Sequence, residues 1–192
     1  LRYNFTKFFD NISYGYGSEY RYDSGKFVNN GSYNASTKGN YDNLSVYANL
    51  GYNLFNNVEL SLFLRNDENK QAGSNQSNKI GLEYKNDIFN FGLGRSVGFR
   101  NPTIYELYGT DSYGYAGNKN LKEEKSISNE INITFNFLKN ISTSIRGFKT
   151  EINDQIKYDS NKYINSKDDL ALKQSGINSE IKITGDDYKL KL

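Results

Sequence analysis

The chain contains no cysteine, histidine, methionine or tryptophan, and only one proline among its 192 residues. Without cysteine or histidine it cannot build an ordinary zinc site, a thiol nucleophile or a Ser-His-Asp triad, which removes many classes of enzyme. It has no basic block, because 24 basic and 22 acidic residues are spread along the chain, so a nucleic-acid partner is not expected. No apolar run approaches the roughly 20 residues of a membrane helix. Membrane-spanning strands are not excluded.

Aromatic residues are abundant although the chain is polar on average. There are 17 tyrosines and 12 phenylalanines, whereas the hydrophobic fraction is 36% and the mean hydropathy is −0.78. Disordered chains are usually poor in aromatics, so the composition argues against disorder, and its low hydropathy also argues against an ordinary core. The length suits one domain and does not require a second.

Apolar residues recur with a period of two, and no clear helical stripe is present. The segment "LSVYANLGY" at 44–52 places leucine, valine and alanine on one face and polar or small residues on the other. The segments "VELSLFLR" at 58–65 and "INITFNF" at 131–137 repeat this pattern, which is typical of strands with one apolar and one wet face. Ten strands are predicted, at residues 1–9, 12–22, 42–52, 57–66, 78–85, 88–99, 123–138, 140–158, 169–184 and 187–192.

The connections between these strands alternate in length. Short turns are predicted at Asp10–Asn11, Asn53–Asn56, Asn86–Asp87, Lys139–Asn140 and Gly185–Asp186, and long polar loops at 23–41, 67–77, 100–122 and 159–168. Such alternation predicts an all-β, antiparallel up-and-down transmembrane β-barrel with tight turns at one rim and long loops at the other. Tyrosines near the strand ends, as in "ISYGYGSEYRY" at 12–22, suit an aromatic girdle. A soluble β-sandwich remains an alternative, since its polar faces would be equally wet.

The only proline lies in "GFRNPTIYELYG" at 98–109, and the chain is predicted to leave the sheet at Asn101–Pro102 because proline cannot donate to a ladder. This stretch and the following "GNKNLKEEKSISNEI" resemble the strand, loop and strand signature of the TonB-dependent outer-membrane receptors. The matching residues are Gly98, Phe99, Arg100, Pro102, Glu106, Leu107, Gly117, Asn118, Leu121, Glu124 and Glu130. Upstream and downstream segments follow in the family's order, which is most similar to the cobalamin-type receptors.

The resemblance implies a barrel of about 22 strands enclosing a plug. The ten predicted strands would then be part of that wall, and residues 1–192 are expected to be a partial receptor barrel that lacks the plug domain and the terminal strands. A complete ten-stranded barrel is the alternative. The resemblance further implies an outer-membrane location in a Gram-negative cell, contact with membrane lipid, and an energy-transducing TonB-type partner that acts through the plug.

Most of the motif residues are expected to be structural, with charge-assisted contacts of Arg100, Glu106, Glu124 and Glu130 folding the loop over the rim. The ligand-binding candidates are the aromatic and acidic residues of the same loop, because rigid aromatics with a hydroxyl hold bulky ligands at low entropy cost. They are Tyr105, Tyr108, Asp111, Tyr113 and Tyr115. A loop packed on itself is the alternative. The acidic clusters at Asn66–Asn69 and Lys167–Asp169 lack the spacing of a calcium loop and are expected to be solvated.

The expected function is energy-coupled uptake of a scarce small-molecule or metal-chelate ligand, with this chain supplying barrel wall and loops. Cobalamin, iron-siderophore, haem and glycan receptors share the signature, so the ligand stays open. No resident metal, cofactor or enzymatic activity is expected. A passive porin-like or adhesin barrel is the first alternative, and a soluble β-rich binding module is the second.

Overall fold

The computed structural model describes residues 1–30, 34–71, 73–138, 140–166, 171–184 and 189–191. Within them the chain forms thirteen strands and one short helix. The elements are β1 (Arg2–Phe8), β2 (Ile12–Asn30), β3 (Asn34–Phe55), β4 (Val58–Asn69), β5 (Gly73–Lys85), β6 (Phe89–Arg100), α1 (Ile104–Tyr108), β7 (Thr110–Asp111), β8 (Glu124–Leu138), β9 (Ile141–Asn153), β10 (Ile156–Asp159), β11 (Lys162–Asn165), β12 (Leu172–Thr184) and β13 (Lys189–Lys191).

Successive long strands pair with their neighbours in one antiparallel sheet. Its order is β1-β2-β3-β4-β5-β6-β8-β9-β12-β13, with the short β7 added to β3, while β10 and β11 form a separate hairpin. The two outermost strands of the described sheet, β1 and β13, do not pair with each other. This meander confirms the prediction of an all-β, up-and-down arrangement that forms part of a barrel wall. No helix of the described residues is long and apolar enough to span a membrane.

The register sorts side chains onto two unlike faces. Leu82 pairs with Leu93 and Leu93 with Ile131, and all three are exposed, so apolar side chains cover one face without a second layer over them. The other face is polar and glycine-rich, and it borders a cavity of about 420 Å³ that includes Glu83 and Glu130. Polar residues inside and apolar residues outside are the arrangement of a membrane barrel wall.

Tight connections close one end of the sheet, which we call the turn rim. Asn86 shapes one of them, because its side-chain oxygen accepts hydrogen bonds from the backbone N–H of Ile88 and Phe89. The turn predicted at Asn53–Asn56 lies slightly later, since β3 continues to Phe55 and pairs there with Val58. The turns predicted at Lys139–Asn140 and Gly185–Asp186 fall partly or wholly outside the described residues.

Two predicted long loops are wrong, because the ladder continues through them. Residues 23–41 belong mostly to β2 and β3, which stay paired from Ile12↔Tyr52 to Asn30↔Asn34. Residues 67–77 likewise belong mostly to β4 and β5, paired as far as Asn69↔Gly73. The period-two signal fades there because both faces are polar, but backbone hydrogen bonding between strands does not require an apolar face.

The opposite end of the sheet, the loop rim, carries more structure than the sequence predicts. The strand predicted at 140–158 ends at Asn153, and Asp154 follows with a φ of 53°, a left-handed conformation that interrupts the ladder. Most of the loop predicted at 159–168 is wrong, because residues 159–165 belong to the β10–β11 hairpin. The prediction that Asn66–Asn69 is solvated is wrong, because this stretch lies in β4 and its Asp67 and Asn69 are buried, whereas Lys167–Asp169 lies outside the described residues.

Candidate functional site

The site begins where β6 leaves the sheet. β6 ends at Arg100, and Pro102 is completely buried two residues later, which confirms the predicted exit at Asn101–Pro102. Phe99, Pro102 and Ile104 form the apolar side of a cavity of about 440 Å³. Its polar side is the inner face of β2, β3 and β4, so the loop turns inward over the barrel wall.

A capping box starts helix α1 directly after the proline. The backbone N–H of Glu106 donates to Thr103 Oγ1 over 3.2 Å, and the backbone N–H of Thr103 donates to Glu106 Oε2 over 2.7 Å. These reciprocal bonds satisfy N–H groups that the first turn of a helix leaves unpaired. The "TIYE" at 103–106 carries this Thr-x-x-Glu signature, which is the sequence signal for the start of the short helix.

Arg100 joins two carboxylates that are far apart in sequence. Its guanidinium donates to both oxygens of Glu106 over 3.0 and 3.2 Å, and to both oxygens of Glu124 over 2.8 and 3.0 Å. Glu124 Oε1 also accepts the backbone N–H of Ile156 over 2.7 Å. One guanidinium thus ties the end of β6 to α1, to the start of β8 and to the β10–β11 hairpin. We call Arg100, Glu106 and Glu124 the arginine clamp.

The fourth charged residue of the motif, Glu130, lies outside this clamp. It is on the inner face of β8 and pairs with Arg146 of β9 over 2.6 Å. The structure therefore brings together three of the four motif charges and assigns the fourth to the barrel wall. Phe99 and Gly98 complete the β6 end of the motif, and Gly98 packs close to Ser126 on β8.

The loop has its own small core. Leu107 and Leu121 from the motif are buried with Ile156 of β10, and Tyr108 and Tyr163 pack against them. Asn118 fastens the loop on two sides: its backbone N–H donates to the Glu106 carbonyl over 2.9 Å, and its side-chain amide donates to the Tyr163 carbonyl over 2.9 Å.

The tyrosine candidates divide into two groups. Tyr115 is 3% exposed, its hydroxyl donates to the Tyr105 carbonyl over 2.8 Å, and the two rings stack at 4.9 Å. Tyr163 of the β10–β11 hairpin meets both rings edge-on, and Tyr158 of the same hairpin meets Tyr163 edge-on with ring centroids 5.4 Å apart. We call these four residues the tyrosine cluster. Burial raises the pKa of the Tyr115 phenol, so this residue stays neutral.

The remaining candidates lie around the cluster. Asp111 accepts the backbone N–H groups of Tyr113 and Tyr115, which fixes the turn between them. Tyr113 is 69% exposed at the tip of this turn. Tyr108 lies apart from the cluster, in the loop core, with the Lys119 ammonium 5.7 Å from its ring centroid. Sequence reasoning missed Tyr158 and Tyr163 because they are distant in sequence and were placed in a strand end and a loop.

The exposed surface of the cluster comes mainly from two residues. Tyr158 is 55% exposed and Tyr105 is 38% exposed, whereas Tyr115 supports them from below. The arrangement offers aromatic faces and hydroxyl groups at the loop rim. No group of acidic residues within the described ranges is arranged to hold a metal ion.

The arginine clamp makes the loop sensitive to acid. Burial alone would raise the pKa of Glu106, but the hydrogen bonds from Arg100 and Thr103 outweigh it and hold this pKa below its ordinary value of 4.5. A lowered pKa in the folded loop means that the charged form is the stabilising one. The stabilisation of the loop by the ionised Glu106 carboxylate is complete above pH 4.5, and it is lost as the pH falls through the lower pKa that Glu106 has in the folded loop.

We therefore expect hydrogen exchange of the loop amides at 103–121 to become faster below about pH 4.5, after correction for the intrinsic exchange rate. Glu106→Gln keeps a side-chain oxygen for capping but cannot titrate, so this variant should lose less protection over the same interval. Equal acid sensitivity in the two proteins would show that other groups control the loop.

Comparison with known proteins agrees with this geometry. The family model described as "TonB dependent receptor-like, beta-barrel" matches residues 1–187. The siderophore receptor PirA from Acinetobacter baumannii is similar in structure, with a TM-score of 0.74 and 16% identity over 98% of this chain and 34% of that chain. The FrpB iron transporter from Neisseria meningitidis has a TM-score of 0.72 and 14% identity over 98% and 33% of the two chains.

A variant of the ferric enterobactin receptor PfeA from Pseudomonas aeruginosa, solved in complex with enterobactin, is also similar. Its TM-score is 0.70, with 14% identity over 99% of this chain and 34% of that chain. No curated protein matches the chain. The chain spans about one third of the length of the first two receptors. Because the family model covers nearly all of it, the chain belongs to the TonB-dependent receptor family, as a stretch of the receptor β-barrel.

Proposed function

We propose that this chain is part of the wall and loops of an outer-membrane receptor for energy-coupled uptake of a scarce ligand in a Gram-negative cell. The observation that carries the proposal is the family match over residues 1–187. The two faces of the sheet support it, since the apolar face suits lipid and the polar face suits a filled lumen. In this proposal a TonB-type protein drives transport through a plug domain, and the protein is not an enzyme.

We propose an iron–siderophore chelate as the ligand rather than cobalamin. Similar structures include a siderophore receptor and an enterobactin complex, which favours iron chelates. The tyrosine cluster supports this choice, because its exposed rings Tyr105 and Tyr158 offer flat apolar faces with polar edges to a bulky aromatic chelate. Tyr113, at the exposed tip of the loop, would add a further contact.

Uptake of radiolabelled ferric enterobactin tests this proposal, with the complete receptor produced in a Gram-negative strain that lacks its own receptors for this chelate. We expect uptake that stops when the TonB-type protein is deleted. The double variant Tyr105→Ala/Tyr158→Ala should lower uptake by about tenfold at limiting ligand, since two exposed aromatic contacts are removed. Radiolabelled cobalamin should not be taken up.

Tyr22→Ala provides the control, because Tyr22 is 55% exposed, as is Tyr158, but lies on β2 away from the cluster. It should transport like the unchanged receptor. Uptake that persists without the TonB-type protein would instead indicate a passive porin-like barrel. Cobalamin uptake without chelate uptake would overturn the choice of ligand, and normal transport by the double variant would remove the tyrosine cluster from the binding site.

A further inference from the structure

The apolar outer face contains a groove across four neighbouring strands. Leu93, Ile131, Gly147 and Ile177 lie opposite one another in the registers of β6, β8, β9 and β12. Gly147 has no side chain, so the surface is depressed between Ile131 and Ile177, and the groove has a volume of about 810 Å³. Ile177 is 78% exposed beside it. The groove is apolar, open and wide enough for an acyl chain.

A polar row crosses the same outer face immediately beyond this groove, on the side of the loop rim. Two residues further along each strand, Arg95 pairs with Asn129, Asn129 with Lys149, and Lys149 with Ser175. All four are exposed, and Arg95 donates to Asn129 Oδ1 over 3.1 Å. Lys149 and Ser175 also line the groove itself. The polar row therefore begins where the groove ends.

The charge of this surface is predominantly positive. Neither Arg95 nor Lys149 is within salt-bridge distance of a carboxylate of the described residues, unlike the paired arginines of the inner face. The next row on the same face contains Glu151 opposite Lys173 and Ile127. On these two rows, Glu151 is thus the one carboxylate beside three cations, Arg95, Lys149 and Lys173. Unneutralised cations on a lipid-facing strand are costly, and an anion supplied by the surroundings would remove that cost.

We propose that this surface binds one phosphate-bearing lipid of the membrane, with an acyl chain in the groove and its phosphate against Arg95 and Lys149. The guanidinium and ammonium groups flank Asn129, so one phosphate can accept charge-assisted hydrogen bonds from both cations. The acyl chain packs on Leu93, Ile131 and Ile177 and buries their apolar surface. The inference rests on the barrel fold of the chain and is independent of which ligand the receptor transports.

Native mass spectrometry of the complete receptor in non-ionic detergent tests the proposal, with dioctanoyl phosphatidic acid as the probe. We expect saturable binding of one lipid that is at least tenfold tighter than binding of dioctanoyl glycerol, which has the same chains but no phosphate. Arg95→Gln/Lys149→Gln should abolish that preference. Gly147→Val should weaken binding of both lipids, because the valine side chain would fill the groove. Even its Cβ would lie only 3.1 Å from Ile131 Cγ2.

Lys7→Gln is the matched control, since Lys7 pairs with Tyr14 on the outer face of β1, far along the sheet from the groove. It should bind phosphatidic acid unchanged. Equal binding of the two lipids by the unchanged receptor would overturn the phosphate contact without requiring any variant. A second receptor copy bound in place of lipid would overturn the proposal as a whole, whereas failure of chelate uptake would leave it intact.

Discussion

Replacing Arg100 with alanine is expected to detach the loop from the barrel wall while leaving the sheet folded. The change would leave Glu106 and Glu124 without their shared cation, and both carboxylates have little exposed surface. A carboxylate left unpaired in such surroundings costs several kcal/mol, and the partly exposed arginine reduces this, so we expect a loss of about 2–4 kcal/mol in the local opening free energy. Hydrogen exchange of peptides covering 101–123 and 154–166 measures it.

Two further variants complete the test: one examines the forked geometry of Arg100, and the other is a control that removes an arginine elsewhere. Arg100→Lys retains the charge but cannot donate to two carboxylates in a bidentate manner, so it should restore only part of the protection. Arg21→Gln removes an arginine whose salt bridge with Asp23 is largely exposed, and such pairs contribute about 0–1 kcal/mol. If Arg100→Ala exchanged no faster than Arg21→Gln, the clamp would not hold the loop.

Adding a single methyl group at Gly117 is expected to disrupt the same loop from its interior. A Cβ at this position would lie 2.5 Å from the carbonyl carbon and oxygen of Leu107 and from the backbone nitrogen of Tyr108. These are backbone atoms within α1, so they cannot move aside as a flexible side chain would. We expect Gly117→Ala to cost about 3 kcal/mol of local stability, at the upper end of overpacking effects.

Gly94→Ala is the control for this prediction. The nearest atom to a Cβ there is the Ile80 carbonyl oxygen at 4.0 Å, so the methyl group fits without displacing its neighbours. Both variants can be compared by limited proteolysis of the complete receptor in detergent. Cleavage within 101–123 should be faster in Gly117→Ala and unchanged in Gly94→Ala; equal cleavage would mean that the loop tolerates the displacement of α1.

The part of the fold within the membrane wall could be predicted from the sequence, whereas the part beyond it could not. Alternation of apolar and polar residues located β4, β6 and β8 to within a few residues, because lipid on one side and water on the other impose that pattern. Beyond the wall both faces meet water, so β2 and β3 continue as a ladder without alternation. Backbone pairing there is invisible to a method that reads hydrophobicity alone.

The candidate site was partly predictable for a different reason. The motif identified Arg100, Glu106 and Glu124 together, and the charge signs were sufficient to expect contacts among them. Proximity in sequence could not reveal Tyr158, which reaches Tyr115 only because the β10–β11 hairpin folds back onto the loop. The sequence also did not indicate that Glu130 lies away from the clamp. Glu124 is at the start of β8 and reaches the loop, whereas Glu130 is six residues further along the same strand.

The extended β2–β3 hairpin has a consequence for association between chains. On the side of β3 that faces away from β2, pairing with β4 begins only at Asn43, so the preceding part of β3 presents a free edge within the described residues. Free edges invite pairing with strands of other molecules. β7 covers part of this β3 edge at Ala35 and Ser36. Lys26 and Lys38 lie opposite each other on the hairpin, and their mutual repulsion costs some stability but would discourage edge-to-edge aggregation.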